Sequence, residues 1–487
     1  MNQPTILFLF TAESYHREAS PLISEFMRRG WSVKVLLGFH SSHTEKVVEA
    51  CQQQGAVVEL VPAEAAYVEF GYGNLAESRV ASAVRFAKEV VGSSTLAIVR
   101  RLCEANRGTG FGRLFGLPGL LIQCIRRRRV AEDIVARLQP FAVIMGAYHS
   151  SGQIDNAIAR ACRQQSILTY CIPNSPYLGT LTLRVGRLNH LEQGMASPAI
   201  CVHYDVVNRL LGWLFPAWTN ELPDGRRAFY WDSVTMLAAT LTGLQMDRPW
   251  LKPALGFKRV FVHSVYSRDL LLRDSYPADR IVVSGPPLLD AVLEHIGDKE
   301  HEVAMYSHIK LPLGSPFLLF NVEPSAEHLY CDWDRHWKQF HDTMAAVAHC
   351  GLPVVLSLHP LCKLETYQFA EVEYGVVIST NFRIHNLYPY CSVSVSFPCS
   401  TNLLALTFNK PLVIYDNFGI LTRDEASRIL NMIAGALVAQ SGTEIAEHLR
   451  TFASIENSGD KVKHLLPENP RAASTIFEAI AMDLPDN

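Results

Sequence analysis

The sequence predicts an α/β protein of two doubly wound parallel-sheet domains, and three observations carry that prediction. Its 487 residues, 48% hydrophobic and only 19% charged, suffice for two large cores. Short apolar runs alternate with amphipathic stretches along the chain, the pattern of parallel strands joined by crossover helices. The series starts afresh after Pro286-Pro287.

In the first series, Ile6 to Phe10 reads as a buried strand and the polar stretch Thr11 to Ser20 as a loop. Leu22, Ile23, Phe26 and Met27 recur at helical spacing until Gly30. Val33 to Leu37 is the second strand, residues 44–54 its crossover helix and Val57 to Val61 the third strand. Phe141 to Met145, a helix carrying Ile154, Ala157, Ile158 and Ala161, and then Ile167 to Ile172 repeat the unit. Val260 to His263 and Ile281 to Ser284 close it. The second series runs through Phe317 to Phe320, a helix from Trp333 to Cys350, Val354 to Leu358, Val376 to Ser379, Val393 to Ser396, a helix after Ser400, and Leu412 to Tyr415.

The boundaries follow from these runs. Residues 1–284 form the first domain, with insertions at about 66–130 and 205–258 that fit the pattern poorly and are of the kind that shapes an acceptor site or a lid. Residues 285–465 form the second domain. Residues 466–487 are a C-terminal helix expected to pack back on the first. The substrate cleft is expected between the sheets, at their carboxyl edges.

Composition excludes several function classes. Lys plus Arg number 44 and Asp plus Glu 47, a net charge of −3 without the basic field of a nucleic-acid-binding protein. The eleven cysteines contain no C-x-x-C pair and read as reduced thiols. No apolar run is long enough for a membrane span or a secretory core, so a cytoplasmic location is expected. Arg126-Arg127-Arg128-Arg129 reads either as a solvated helix face, partly neutralised by Glu132 and Asp133, or as peripheral contact with anionic lipid on the inner face of a membrane.

The chemistry concentrates in the second half. His359-Pro360 directly follows the strand Val354 to Leu358, which puts the imidazole at the sheet's carboxyl edge. Ser396-Phe397-Pro398-Cys399-Ser400-Thr401-Asn402 forms a polar turn between a strand and a helix, where hydroxyls and free N–H groups hold phosphate without net positive charge. Ser400 or Thr401 as a helix cap, and His359 as a structural strand-end histidine, are the bland alternatives. Asn321 and Glu323 end another strand and Asp416 ends a third, all at the same carboxyl edge. No Asp-x-Asp pair stands out as a metal clamp, so metal-independent chemistry with no cofactor is expected.

The order strand, His359-Pro360, strand, Ser396 to Asn402, helix, then Asn409-Lys410-Pro411-Leu412-Val413-Ile414-Tyr415-Asp416 resembles the donor domain of the GT-B glycosyltransferase superfamily. Bacterial polysaccharide-type transferases and the UDP-N-acetylglucosamine 2-epimerase group are the nearest likenesses. Tyr276-Pro277-Ala278-Asp279-Arg280 through Asp290 is similar to their interdomain crossover, and Ser20-Pro21-Leu22-Ile23 with Arg28-Arg29-Gly30 to their first helix. The resemblance implies two Rossmann-like domains facing a central cleft. It implies donor binding by His359, Pro360, Ser396, Ser400, Thr401, Asn321, Glu323 and Asp416.

One departure matters. The hydrolysing epimerases carry Gly-Asp and Glu-Ala-Gly stretches where this chain has Gly146-Ala147-Tyr148-His149 and Ile172-Pro173-Asn174-Ser175. The missing carboxylates, needed there for acid/base work, favour group transfer. An inverting transferase of this shape needs a base in its first domain. The stretch after the first strand offers His16, the first choice, with Glu18 and Glu13 as competitors, while Tyr148 and His149 are acceptor-binding candidates. The expected function is therefore an inverting glycosyltransferase. It would move sugar from a CMP- or UDP-linked donor to a glycan or lipid-linked glycan in polysaccharide biosynthesis. A 2-epimerase or polyol-phosphate transferase of the same fold is the alternative among enzymes. A non-catalytic glycan-binding or assembly subunit is the alternative outside them.

Overall fold

A computed structural model of the chain describes residues 3–41, 44–66, 113–114, 116–146, 152–173, 179–192, 200–251, 253, 256–327, 331–359, 362–399, 401–416, 421, 436–451 and 471–483. The chain divides into two compact units. Met1–His263, Ser267–Leu288 and Arg471–Asn487 make the first, and Ser264–Tyr266 with Leu289–Pro470 make the second.

The first unit is built on seven strands: β1 (Thr5–Phe10), β2 (Ser32–Leu37), β3 (Val57–Leu60), β4 (Ala142–Met145), β5 (Leu168–Cys171), β8 (Arg259–Val262) and β9 (Ile281–Val283). They lie in the order β3-β2-β1-β4-β5-β8-β9. Every pairing is parallel, with Ile6 opposite Val33 on one side and Ala142 on the other. Strands buried on both faces need continuous apolar runs, and Ile6 through Phe10 are all fully buried. Between β5 and β8 the chain forms a small antiparallel ribbon of β6 (Thr219–Glu221) and β7 (Arg227–Phe229).

The helices of this unit are α1 (Glu13–Arg28), α2 (Thr44–Gln53), α3 (Leu117–Leu138), α4 (Ile154–Gln164), α5 (Gly179–Glu192), α6 (Val206–Leu214), α7 (Ser233–Thr242) and α8 (Val265–Arg273), the last running on from the junction between the units. The expected loop Thr11 to Ser20 is a correction, because α1 starts at Glu13 and carries Pro21 in its interior. A proline beside Ser20 reads as a helix start, yet Tyr15, Ala19, Leu22, Ile23 and Phe26 continue one buried stripe through it. The stripe outweighs the lost hydrogen bond.

The 205–258 region has a core of its own, with Val202, Val207, Leu211, Trp218, Phe229 and Met236 packed together. Asp205 caps α6 by accepting the Asn208 N–H, and Asp232 caps α7 by accepting those of Val234 and Thr235. The buried guanidinium of Arg113 joins the two caps, pairing with Asp205 and lying 3.3 Å from Asp232. Two helix starts thus share one cation.

The second unit holds six parallel strands: β10 (Leu318–Val322), β11 (Val354–Leu358), β12 (Val377–Ser379), β13 (Val393–Ser396), β14 (Leu412–Tyr415) and β15 (Leu437–Ala439). Their order is β12-β11-β10-β13-β14-β15. α9 (Pro287–His295) leads into it, followed by α10 (Lys299–His308), α11 (Trp333–Val347) and α12 (Gly442–Thr451). Phe320, Phe340, Leu356, Tyr367 and Val395 form the core on one face of the sheet, and Phe317, Leu319, Tyr388 and Ile414 that on the other. The last helix, α13 (Ala472–Ala481), belongs to the first unit. Its Phe477 ring lies 5.0 Å from Phe26 and 5.8 Å from Trp31, and burying such a ring contributes roughly 1.5–3 kcal/mol. No described helix is long and apolar enough to cross a membrane.

Candidate functional site

In an open parallel sheet, ligands bind where the strand order reverses, because the two flanking loops leave in opposite directions and open a crevice at the carboxyl ends. The second sheet reverses between β10 and β13. A cavity of about 190 Å3 lies there, lined by Asn321, Glu323 and Pro324 at the end of β10, His359 after β11, and Phe397, Pro398 and Cys399 after β13. Three of the predicted residues, Asn321, Glu323 and His359, therefore share one wall.

Asn321 organises that wall. Its amide donates to Thr401 Oγ1 at 3.1 Å and Ser396 Oγ at 3.3 Å, and lies 3.4 Å from Cys399 Sγ. The Asn402 side chain closes the turn by donating to the Phe397 carbonyl at 2.9 Å. Ser396 is fully buried and hydrogen-bonds the Phe397 carbonyl, so it braces the turn and is not part of the cavity lining. The following helix, Asn402–Thr407, is only six residues long. Pro360 and Ser400 lie outside the described residues.

Glu323 is the unusual member. Burial pushes its carboxyl up to about 8, against a hydrogen bond from Ser325, and the negative charge of Asp416 pushes the same way. Its Oε2 is sealed from solvent and has no hydrogen-bond partner among the described residues. At neutral pH it is a neutral acid beside a cavity. Asp416 itself is fully buried and accepts the Leu421 N–H at 2.9 Å, so it shapes the wall electrostatically without lining it.

In the first unit the strand order reverses between β1 and β4. Glu13 opens α1 just past β1, and His16 lies one turn on, its ring centroid 6.2 Å from that of Phe10. At 100° per residue Glu13 and His16 share a face, whereas Glu18 points about 160° away from His16. The Glu18 carboxylate accepts the Leu288 N–H near the start of α9. Burial pushes it up to about 7, against the nearby Arg17 charge and that hydrogen bond. The three candidates are thus not one cluster. Tyr148 and His149 lie outside the described residues.

The arginine run needs a correction. On α3 its members point around the helix, and Arg127 is buried, donating to the Gly152 carbonyl at 3.0 Å. Arg128 pairs with Glu132 at 3.2 Å, which leaves Arg126 and Arg129 exposed. Among the described residues, no group of three or more His, Cys, Asp or Glu side chains is placed to hold a metal ion.

Sequence reasoning placed Cys399 in the turn without giving its thiol a part in the cavity wall, and it missed Tyr15. The Tyr15 hydroxyl donates to the Ile172 carbonyl at 3.3 Å. A Cβ on Gly146 would lie 1.0 Å from that hydroxyl oxygen, so only glycine fits at the end of β4. An isolated Gly after an apolar strand is the one signal that pointed there.

No family model and no curated protein matches the chain. Solved structures do. It is similar to the UDP-GlcNAc 2-epimerase of Neisseria meningitidis bound to UDP-GlcNAc, at 13% identity over 98% of this chain and 100% of that one, with a TM-score of 0.52. The Methanocaldococcus jannaschii UDP-GlcNAc 2-epimerase in complex with UDP-GlcNAc and UDP aligns over 99% and 100% at 10% identity, also with a TM-score of 0.52. The glycotransferase of kitacinnamycin aligns over the full length of both chains at 13% identity and a TM-score of 0.53. With two parallel-sheet α/β units and these neighbours, the chain has the fold of the GT-B superfamily.

Proposed function

We propose that this protein is a glycosyltransferase that takes its sugar from a nucleotide donor, CMP- or UDP-linked, and binds the nucleotide in the β10/β13 cavity. The supporting observation is that Asn321, Glu323, His359 and the turn after β13 meet in one cavity at the point where the sheet reverses. In this reading the His359 imidazole and a neutral Glu323 offer hydrogen-bond donors to a phosphate in the cavity, beside a turn that the Asn321 amide braces through Ser396 and Thr401. Such oriented donors stabilise the charge that develops on a departing nucleotide without a metal.

In the reaction, the acceptor hydroxyl oxygen bonds to the anomeric carbon as the bond from that carbon to phosphate oxygen breaks. The nucleotide leaves with the electron pair and the acceptor's proton passes to a base. His16 is proposed as that base, and the engagement of Glu18 with Leu288 supports His16 over Glu18. The acceptor is a glycan or lipid-linked glycan. Peripheral contact with an anionic membrane would rest on Arg126 and Arg129, and weaker sedimentation of an Arg126→Glu/Arg129→Glu variant with anionic vesicles tests it.

The 2-epimerase reading is favoured by the several 2-epimerases that share the fold. Gly146-Ala147 and Pro173-Asn174 stand where that chemistry needs carboxylates, and this supports transfer instead. A thermal-shift screen with CMP, UDP, GDP and CDP tests nucleotide binding, since a ligand selective for the native state raises its stability. Incubating the matching nucleotide sugar with and without a glycan acceptor then separates the readings, because an epimerase turns over without acceptor. No shift with any of the four nucleotides at millimolar concentration would favour a glycan-binding subunit.

A further inference from the structure

Next to the loops that line the cavity, three polar side chains of the second unit, Glu327, His336 and Cys362, converge on the hydroxyl of Tyr367. Tyr367 is fully buried, and its ring packs in the core with Phe340 and Trp337. Its hydroxyl donates to Glu327 Oε1 at 2.9 Å and lies 3.0 Å from His336 Nε2 and 3.6 Å from Cys362 Sγ. Burial and the Glu327 charge push the Cys362 thiol up to about 12, and burial holds the tyrosine far above its usual range, so both stay protonated. Burial also lowers His336, against the Glu327 charge, and its ring is neutral at neutral pH. One proton arrangement then satisfies the hydroxyl: it gives its hydrogen to the carboxylate and accepts from His336 Nε2–H and Cys362 S–H.

The partners belong to the cavity's own loops. Glu327 lies four residues past Glu323, in the segment that leaves β10. Cys362 lies three past His359, after β11, and its N–H donates to the His359 carbonyl at 2.8 Å. His336, from α11, gives the hub a fixed base. We propose that Tyr367 is a positioning residue for the cavity: its hydroxyl ties the loops after β10 and β11 to one buried point and so holds the walls carrying Glu323 and His359 at a fixed separation. This rests on the nucleotide-binding reading above and adds to it a residue that does not line the cavity.

Calorimetric titration with whichever of CMP, UDP, GDP and CDP stabilises the wild type tests it. Tyr367→Phe keeps the ring in the core and removes only the hydroxyl, and it should weaken that nucleotide about tenfold while circular dichroism shows an intact fold. Glu327→Gln, whose amide oxygen still accepts from the hydroxyl, should bind within about twofold of wild type, whereas Glu327→Ala should lose about tenfold. That pair decides the matter if Tyr367→Phe does not fold. Equal affinity of Tyr367→Phe and wild type, or of Glu327→Ala and Glu327→Gln, overturns the positioning role and leaves the nucleotide reading intact. A wild type that binds none of the four nucleotides overturns both.

Discussion

The two sheets reverse direction in the same way, between β1 and β4 in the first unit and between β10 and β13 in the second, yet their carboxyl edges are finished differently. In the first, Tyr15 from α1 lies over Gly146, the residue just past β4, and its hydroxyl bonds the chain after β5. In the second, Glu323 and Phe397 follow the two central strands and leave about 190 Å3 open between their turns. The difference teaches that topology selects the edge, while the residue after each strand decides what occupies it. A glycine there admits a neighbouring ring. A carboxylate and a proline-stiffened turn keep space.

The strongest way to break this comparison is to give Gly146 a side chain. The Cβ of Gly146→Ala would meet Tyr15 Oη at 1.0 Å and its Cζ at 1.7 Å, so the ring must leave its site. Overpacking of this kind costs about 3 kcal/mol. The expected result is an earlier denaturant midpoint for the first unit's transition, with nucleotide binding by the second unit retained. An unchanged midpoint would show that the first edge is not packed in this way.

A smaller effect tests where the C-terminal helix belongs. Asp483, just past α13, accepts from Arg259 Nε at 2.7 Å and Nη2 at 2.8 Å, and from the Tyr170 hydroxyl at 3.1 Å. Burial alone would raise its carboxyl, but the hydrogen bonds from Arg259 and Tyr170 and the charges of Arg259 and Lys258 prevail and hold it below its usual 3.8. Its stabilisation is therefore complete above the unfolded value and is lost as pH falls through the folded one. Asp483→Ala should cost the first unit about 2 kcal/mol at pH 7, read from urea midpoints, and much less near pH 2. An equal loss at both pH values would mean the charge is not the cause.

What the sequence revealed follows from the range of each interaction. Strands such as Ile6 to Phe10 and Leu318 to Phe320 are legible because a strand covered on both faces must be apolar throughout. His359 and Asn321 are legible as strand-end residues, since the edge of a parallel sheet is where binding occurs. The start of α1 was hidden by the polar residues of Thr11 to Ser20, a local signal overruled by packing that only the folded unit provides. The Tyr367 hub joins residues 31 and 40 positions apart, and no periodicity links Glu327, His336 and Tyr367 in the chain. Arg127 shows the reverse error, a charge read as surface because its carbonyl partner, Gly152, is 25 residues away.

The finest test concerns the charge of the open edge. The folded protein holds the Glu323 proton up to about pH 8, whereas an unfolded carboxyl releases it near 4.5. Between those values the native state binds more protons than the unfolded state, so stability falls as pH rises, by at most about 1.4 kcal/mol per pH unit. Glu323→Gln keeps the shape and has no proton to lose. Its stability relative to wild type should therefore grow from pH 4.5 to about 8 and level off above. Glu18 is untouched in both proteins and cancels from that difference. The same ionisation places a negative charge beside the cavity, so CMP and UDP should bind wild type more weakly at pH 9 than at pH 7, and the Gln variant equally at both. Parallel stability curves for the two proteins would mean that Glu323 is already ionised at neutral pH, and the edge would then be held open by a charge rather than by a neutral acid.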